Sequence, residues 1–100
     1  MRDLSELTAA DFEPLEGTDF KVRDAETLAT VLVLALVEVV RLQEKAGFRQ
    51  PFVLHFHGPA SPVLDHSVHH LSHDEMGELE CFLGPVMAGG PGTTYEAVFA

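Results

Sequence analysis

The segment Thr27 to Leu42 constrains the fold of this chain more than any other. Val31, Val33, Val37, Val39 and Val40 are β-branched, and apolar residues occupy every face of the segment instead of one helical stripe. That pattern belongs to a strand buried on both sides. A helix also has support, because Asp24 could cap it, Lys45 lies in its last turn and Gly47 could end it. The β-branched richness decides for a strand. The run Val31 to Val37 reaches Val40 only if Glu38 is ignored, well short of the ~18 residues that cross a bilayer. It belongs in a core or, on a sheet edge, in an interface with another chain.

The remaining chain reads as shorter strands separated by turn chemistry. Phe52 to His57 alternates, with Phe52, Leu54 and Phe56 on one face and Val53, His55 and His57 on the other. Gly58-Pro59 ends it. Val68 to Ser72 and Glu78 to Leu83 flank the turn Asp74-Glu75-Met76-Gly77, and Gly84-Pro85 ends the second of these. Ala88 to Gly92 reads as a hairpin tip, and Tyr95, Ala97 and Phe99 share a face of the final strand. Before the long segment, Gly17 turns the chain into a short extended piece, Phe20 to Arg23. Further upstream, Thr8 and Asp11 are spaced for a reciprocal helix cap, Leu7 and Phe12 for a hydrophobic staple, and Pro14 limits the helix to one or two turns. Residues 1–100 therefore form a single β-rich domain, mainly β: a small antiparallel five- to six-stranded barrel or sandwich whose short N-terminal helix plugs one end. Phe52, Leu54, Phe56, Leu79, Leu83, Tyr95 and Phe99 are its expected core.

Charge narrows the partners. Six Lys and Arg against sixteen Asp and Glu give a formal charge of −10, the wrong sign for a phosphate backbone or an anionic membrane. All the basic residues precede Gln50 and all six histidines follow it, so Asp65, Asp74, Glu75, Glu78, Glu80 and Glu96 have only histidines as nearby cations in sequence. A single cysteine, Cys81, and an N-terminal stretch without the basic-then-apolar layout of a signal peptide point to the cytoplasm. Cys81 reads as a small hydrophobe within a strand.

The histidines carry the possible chemistry. His55 and His57, two apart on a strand, share a face and could offer two imidazoles to one metal. His66, His69, His70 and His73 add nitrogens nearby, with His69 and His73 on one strand face and His70 on the other, and Glu78 or Glu80 could supply a carboxylate. The set is cupin-like, but Gly58 to Pro62 stand where such a site would place its glutamate. Half-exposed histidines on an acidic sheet are the plainer reading. Ser61, Ser67 and Ser72 lie in no nucleophile elbow, and Gly89-Gly90-Pro91-Gly92 lacks the Lys-Ser/Thr of a phosphate loop.

Leu7 to Phe12, the Phe52 to Pro59 strand ending in Gly-Pro, Leu71-Ser72-His73 with Gly77-Glu78-Leu79, Phe82-Leu83 with Pro85-Val86, and Tyr95 to Phe99 together resemble an uncharacterised bacterial family. The resemblance implies a one-domain β-rich protein, associated with phage-tail-like or surface-fibre gene neighbourhoods, and carries no activity with it. His55, His57, His69 and His70 stand where that family's pattern has aliphatic, aromatic or Arg residues.

Two functions of different class fit these features. A non-enzymatic protein-binding or assembly module, an acidic β-domain whose partner is another protein or a second copy met through an edge strand or loop, accounts for the absence of any catalytic or cofactor signature. The alternative is a small histidine-cluster metal-binding protein or cupin-like metal-dependent enzyme, holding a divalent transition metal through His55, His57, His69, His70 or His73.

Overall fold

A computed structural model describes residues 1–87 and 91–100; the Ala88 to Gly90 part of the expected hairpin tip lies outside the described residues. Inside-outside alternation, interrupted at bulges, organises six antiparallel strands: β1 (Asp19–Arg23), β2 (Thr30–Arg41), β3 (Phe52–Gly58), β4 (Ser67–His73), β5 (Gly77–Met87) and β6 (Thr93–Phe99). They run in the order β1-β2-β3-β6-β5-β4, and β4 returns to β1 through Lys21–Ser72, Val22–Leu71 and Arg23–His70. The sheet is a closed barrel.

Closure explains the core. Phe20, Leu34, Phe52, Leu54, Phe56, Leu79, Leu83 and Tyr95 project inward and are fully buried, so every residue of the expected core lies within it, Phe99 included. One end is plugged by α1 (Ala9–Phe12), whose Phe12 ring sits 5.5 Å from Phe99, 5.8 Å from Phe52 and 6.5 Å from Phe20. The helix starts where the cap spacing requires: the Thr8 amide donates to the Asp11 carboxylate at 2.8 Å. Arg49 ties the plug to the wall, its guanidinium donating to the carbonyls of Leu4, Leu7 and Ala100.

Three local expectations are corrected. The long segment is a strand, but not one buried on both faces: Leu32, Leu34 and Leu36 enter the core while Val31, Val33 and Val37 are exposed on the outer wall. It is not an edge strand either, because β1 and β3 pair with its two sides. Where β2 overhangs β1, the Glu16 carboxylate accepts from the Val39 amide at 2.8 Å and occupies the vacant ladder position. Finally, β5 does not stop at Gly84-Pro85 but continues to Met87. Pro85 is tolerated because the register slips between Pro85 and Met87, a bulge that leaves Val86 without a partner.

The β1–β2 hairpin turn holds a strained residue. Asp24 accepts from the amides of Glu26 and Thr27 through its side chain, and the turn then passes Leu28 at φ +62°, a left-handed conformation. A bulky residue pays roughly 1–2 kcal/mol there, and Leu28 is half exposed, so little burial compensates. Leu28→Gly is expected to raise stability by about 1 kcal/mol in urea unfolding; an unchanged or lower midpoint would mean that the leucine side chain holds the turn by contacts the strain argument omits.

Candidate functional site

The outer wall of β2, β3, β6 and β5 carries the most concentrated chemistry. Two bulges shape it. On β2 the register passes from Leu36–Phe56 to Glu38–His55, leaving Val37 as an extra residue, and on β5 Val86 is extra at the level where Phe56 faces Tyr95. Bulges bend strands and re-aim side chains. Between the bulged valines lies an outward groove of about 500 Å³, lined also by Glu38, His55, His57 and Thr94.

His55 stands at the centre of one transverse row. Its Nε2 lies 3.0 Å from Glu96 on β6 and its Nδ1 3.8 Å from Glu38 on β2, so one imidazole sits between two carboxylates. The row continues to Gly84 on β5, which pairs with Glu96. A side chain at Gly84 would run into the His66 ring, which brings His66, from the β3–β4 loop, over the same row. His57 lies one pleat along β3, about 7 Å away by strand geometry, with its ring against Gly92. Both glycines make room for imidazoles.

The other expected ligands are placed elsewhere. His70 faces outward from β4 and lies 2.7 Å from Glu78, the carboxylate proposed for it across the turn. The Ser72 hydroxyl, and then His70, hold the Glu78 carboxyl below the usual carboxylate range. His69 faces the barrel end, with Nε2 2.9 Å from the Asp65 carbonyl and 3.5 Å from the Asp65 carboxylate. His73 is buried. Its Nδ1 accepts the amides of Glu75 and Met76 at 3.0 and 3.2 Å, its Nε2 lies 2.8 Å from the Thr18 hydroxyl, and its ring packs on Phe20 at 4.5 Å. Both His73 nitrogens are thus used by the chain itself. The structure brings His55 and His57 to one groove and separates His69, His70 and His73 from it and from one another. Among the described residues no three His, Cys, Asp or Glu side chains converge as a metal-ligand group.

Sequence reasoning grouped His66 with the nearby histidines but missed Glu38 and Glu96 as partners of His55, and the two bulged valines. One signal was available: Glu38 is the lone charge in the apolar run from Val31 to Val40. The rest depends on β3 pairing with β2 and β6, which no local spacing encodes.

Cys81 is no part of this surface. It faces the core from β5, and burial pushes its thiol up to about 12. Native protein is expected not to react with Ellman's reagent at pH 8, and to release one equivalent of thiol after unfolding in urea; rapid native reaction would show β5 opening readily.

The fold and groove define a small closed antiparallel barrel whose distinctive residues lie on its outer wall, not in its interior. A family model described as a domain of unknown function (DUF6916) matches residues 7–99, and the chain belongs to that family. The match accords with the resemblance to an uncharacterised one-domain β-rich family. No curated protein and no solved structure matches the chain. No helix among the described residues is long and apolar enough to cross a membrane.

Proposed function

We propose that this protein is a non-enzymatic binding or assembly module that meets another protein through the outer wall of β5, β6 and β3. One observation carries the reading: a row of apolar side chains crosses that wall in register. Val68 on β4 faces Phe82 on β5, and Val98 on β6 faces Val53 on β3, which in turn faces Val40 on β2. Phe82 and Val98 lie two residues from Gly84 and Glu96 along the same β5–β6 register, which joins the two halves of the row. Val68, Phe82 and Val98 are 61%, 59% and 57% exposed. Val53 beside them is buried and Val40 half-buried; single exposed apolar residues are ordinary, but three exposed side by side next to a groove are what binding surfaces present. Strand addition at a sheet edge, the contact mode expected from the sequence, is disfavoured by barrel closure, so this reading relies on side chains instead of backbone pairing.

A photo-crosslinking side chain placed at Val98, with Lys21 on β1 across the barrel as control, tests it in cells. Discrete adducts from position 98 that are absent from position 21, and that persist with the purified partner, are expected. Equal labelling from both positions would sink the reading.

A second reading rests on His55 and His57 bordering the same groove beside Glu38. There a divalent transition metal would be held by the two imidazoles, which would have to turn toward one another because no third ligand converges on them among the described residues. Zn²⁺ titration followed by histidine NMR signals distinguishes it: joint shifts of His55 and His57 at stoichiometric metal, abolished by the double alanine variant, would favour the metal-binding function.

A further inference from the structure

We infer that the partner segment accepted by this wall is cationic, with basic side chains alternating with apolar ones at two-residue spacing. The inference rests on the binding-module reading and assigns the chemistry of its partner.

The charge pattern carries it. No Lys or Arg occurs after Arg49, so β3, β4, β5 and β6 present no permanent cation on either face. The apolar row of Phe82 and Val98 is bordered by carboxylates on both sides, Glu96 and Glu38 one pleat toward the groove and Glu80 one pleat the other way on β5. His55 does not neutralise its row. With the imidazole uncharged, Glu38 and Glu96 leave two negative charges there, and with it protonated one remains. Beyond that row stand His57 and Thr94, with Val37 and Val86 at the margins of the groove. Across β5 and β6 the wall therefore reads acidic at Glu80, apolar at Phe82 and Val98, and acidic at Glu96, with successive rows about 7 Å apart.

An extended segment laid along these strands has the same two-residue period, so its downward-facing side chains would meet successive rows. Complementarity then requires apolar and basic residues in alternation. A second copy docked through this same wall fits badly, since a two-fold interface would set Glu38, Glu80 and Glu96 against their own counterparts. Nucleic acid and anionic lipid are repelled by the same carboxylates. A small polyamine would satisfy the charge but leave the apolar rows uncovered.

The test uses two capped peptides, one of three Val-Ser-Arg-Ser repeats closed by Val and one with Glu in place of each Arg, added to ¹⁵N-labelled protein. The arginine peptide is expected to shift amides of β3, β5 and β6, to bind about tenfold more weakly when NaCl rises from 50 to 300 mM, and to lose about fivefold or more in affinity with Glu38→Gln/Glu96→Gln. Both positions are at least half-exposed or intermediate and the substitution keeps shape, and an unchanged thermal midpoint will show the variant folded. Equal binding of the glutamate peptide, shifts confined to β1, or no shift at millimolar peptide would overturn the proposal. Should Val98 adducts form while the arginine peptide leaves the spectrum unchanged, the cationic assignment falls and the binding-module reading stands; if neither appears, both fall.

Discussion

Phe56→Ala is expected to lower the free energy of unfolding by about 3–5 kcal/mol, measured by urea denaturation. The ring is fully buried on the inner face of β3, packed edge-on against Phe20 with centroids 5.4 Å apart, and its strand partners Leu36 and Tyr95 are fully buried too. Truncation removes a large apolar surface and leaves a cavity that three strands pinned by ladder hydrogen bonds are poorly able to close. For a domain whose whole stability is on the order of 5–15 kcal/mol, that is enough to bring the native state near its margin. Phe82→Ala, the same chemical change on the exposed wall, supplies the contrast: it is expected to stay within roughly 0.5 kcal/mol. A Phe56→Ala loss under about 1 kcal/mol would place the ring outside the core.

His73→Phe is expected to destabilise by about 2–4 kcal/mol. The phenyl ring keeps the packing on Phe20, so the loss isolates hydrogen bonding. Because Nδ1 accepts the amides of Glu75 and Met76, the ring proton sits on Nε2 and donates to Thr18, whose hydroxyl donates onward to the Leu15 carbonyl. The imidazole links the β4–β5 turn to the segment that leads into β1. Removing it strands two amides, one of them in a buried contact, at about 1–3 kcal/mol for each group left unpaired. The same substitution separates a structural histidine from a ligand: a stability loss with unchanged Zn²⁺ response assigns His73 to the fold, whereas a near-neutral change would release it from that role.

Local patterns in the sequence carried much of the fold. Alternation in Phe52 to His57 and Tyr95 to Phe99 marked the inward faces, and the spacing of Thr8 and Asp11 marked the start of α1. The long valine-rich segment announced a strand but concealed its two faces. Leucine and valine are both apolar, and only barrel curvature decides that Leu32, Leu34 and Leu36 turn inward while Val31 and Val33 meet solvent. The site was legible only as far as it was local. His55 and His57 were visible as a pair on one strand, yet the carboxylates flanking His55 come from β2 and β6, far away in sequence. The groove itself is created by one-residue register slips at Val37 and Val86. A slip is a property of two strands compared, so no single stretch of sequence contains it.

The position of β6 between β3 and β5 has a consequence for how the chain is born. Synthesis delivers β1, β2 and β3 first, as neighbours that pair in sequence order, followed by the β4–β5 hairpin. The two pieces meet directly at β1 and β4, and β6 makes the second seam, its seven pairs with β3 running from Phe52–Phe99 to Gly58–Thr93. Until it arrives, the nascent sheet carries an unsealed margin at β3, lined by Phe52, Leu54 and Phe56 and open to any passing strand. A chain cut before Thr93 is accordingly expected to aggregate at micromolar concentration in light scattering instead of folding as a smaller unit; a soluble monomer would refute this order of sealing. The surplus of carboxylates then acquires a role before the native state exists, because unfinished molecules that carry the same strong negative charge hold one another apart while the last joint is made.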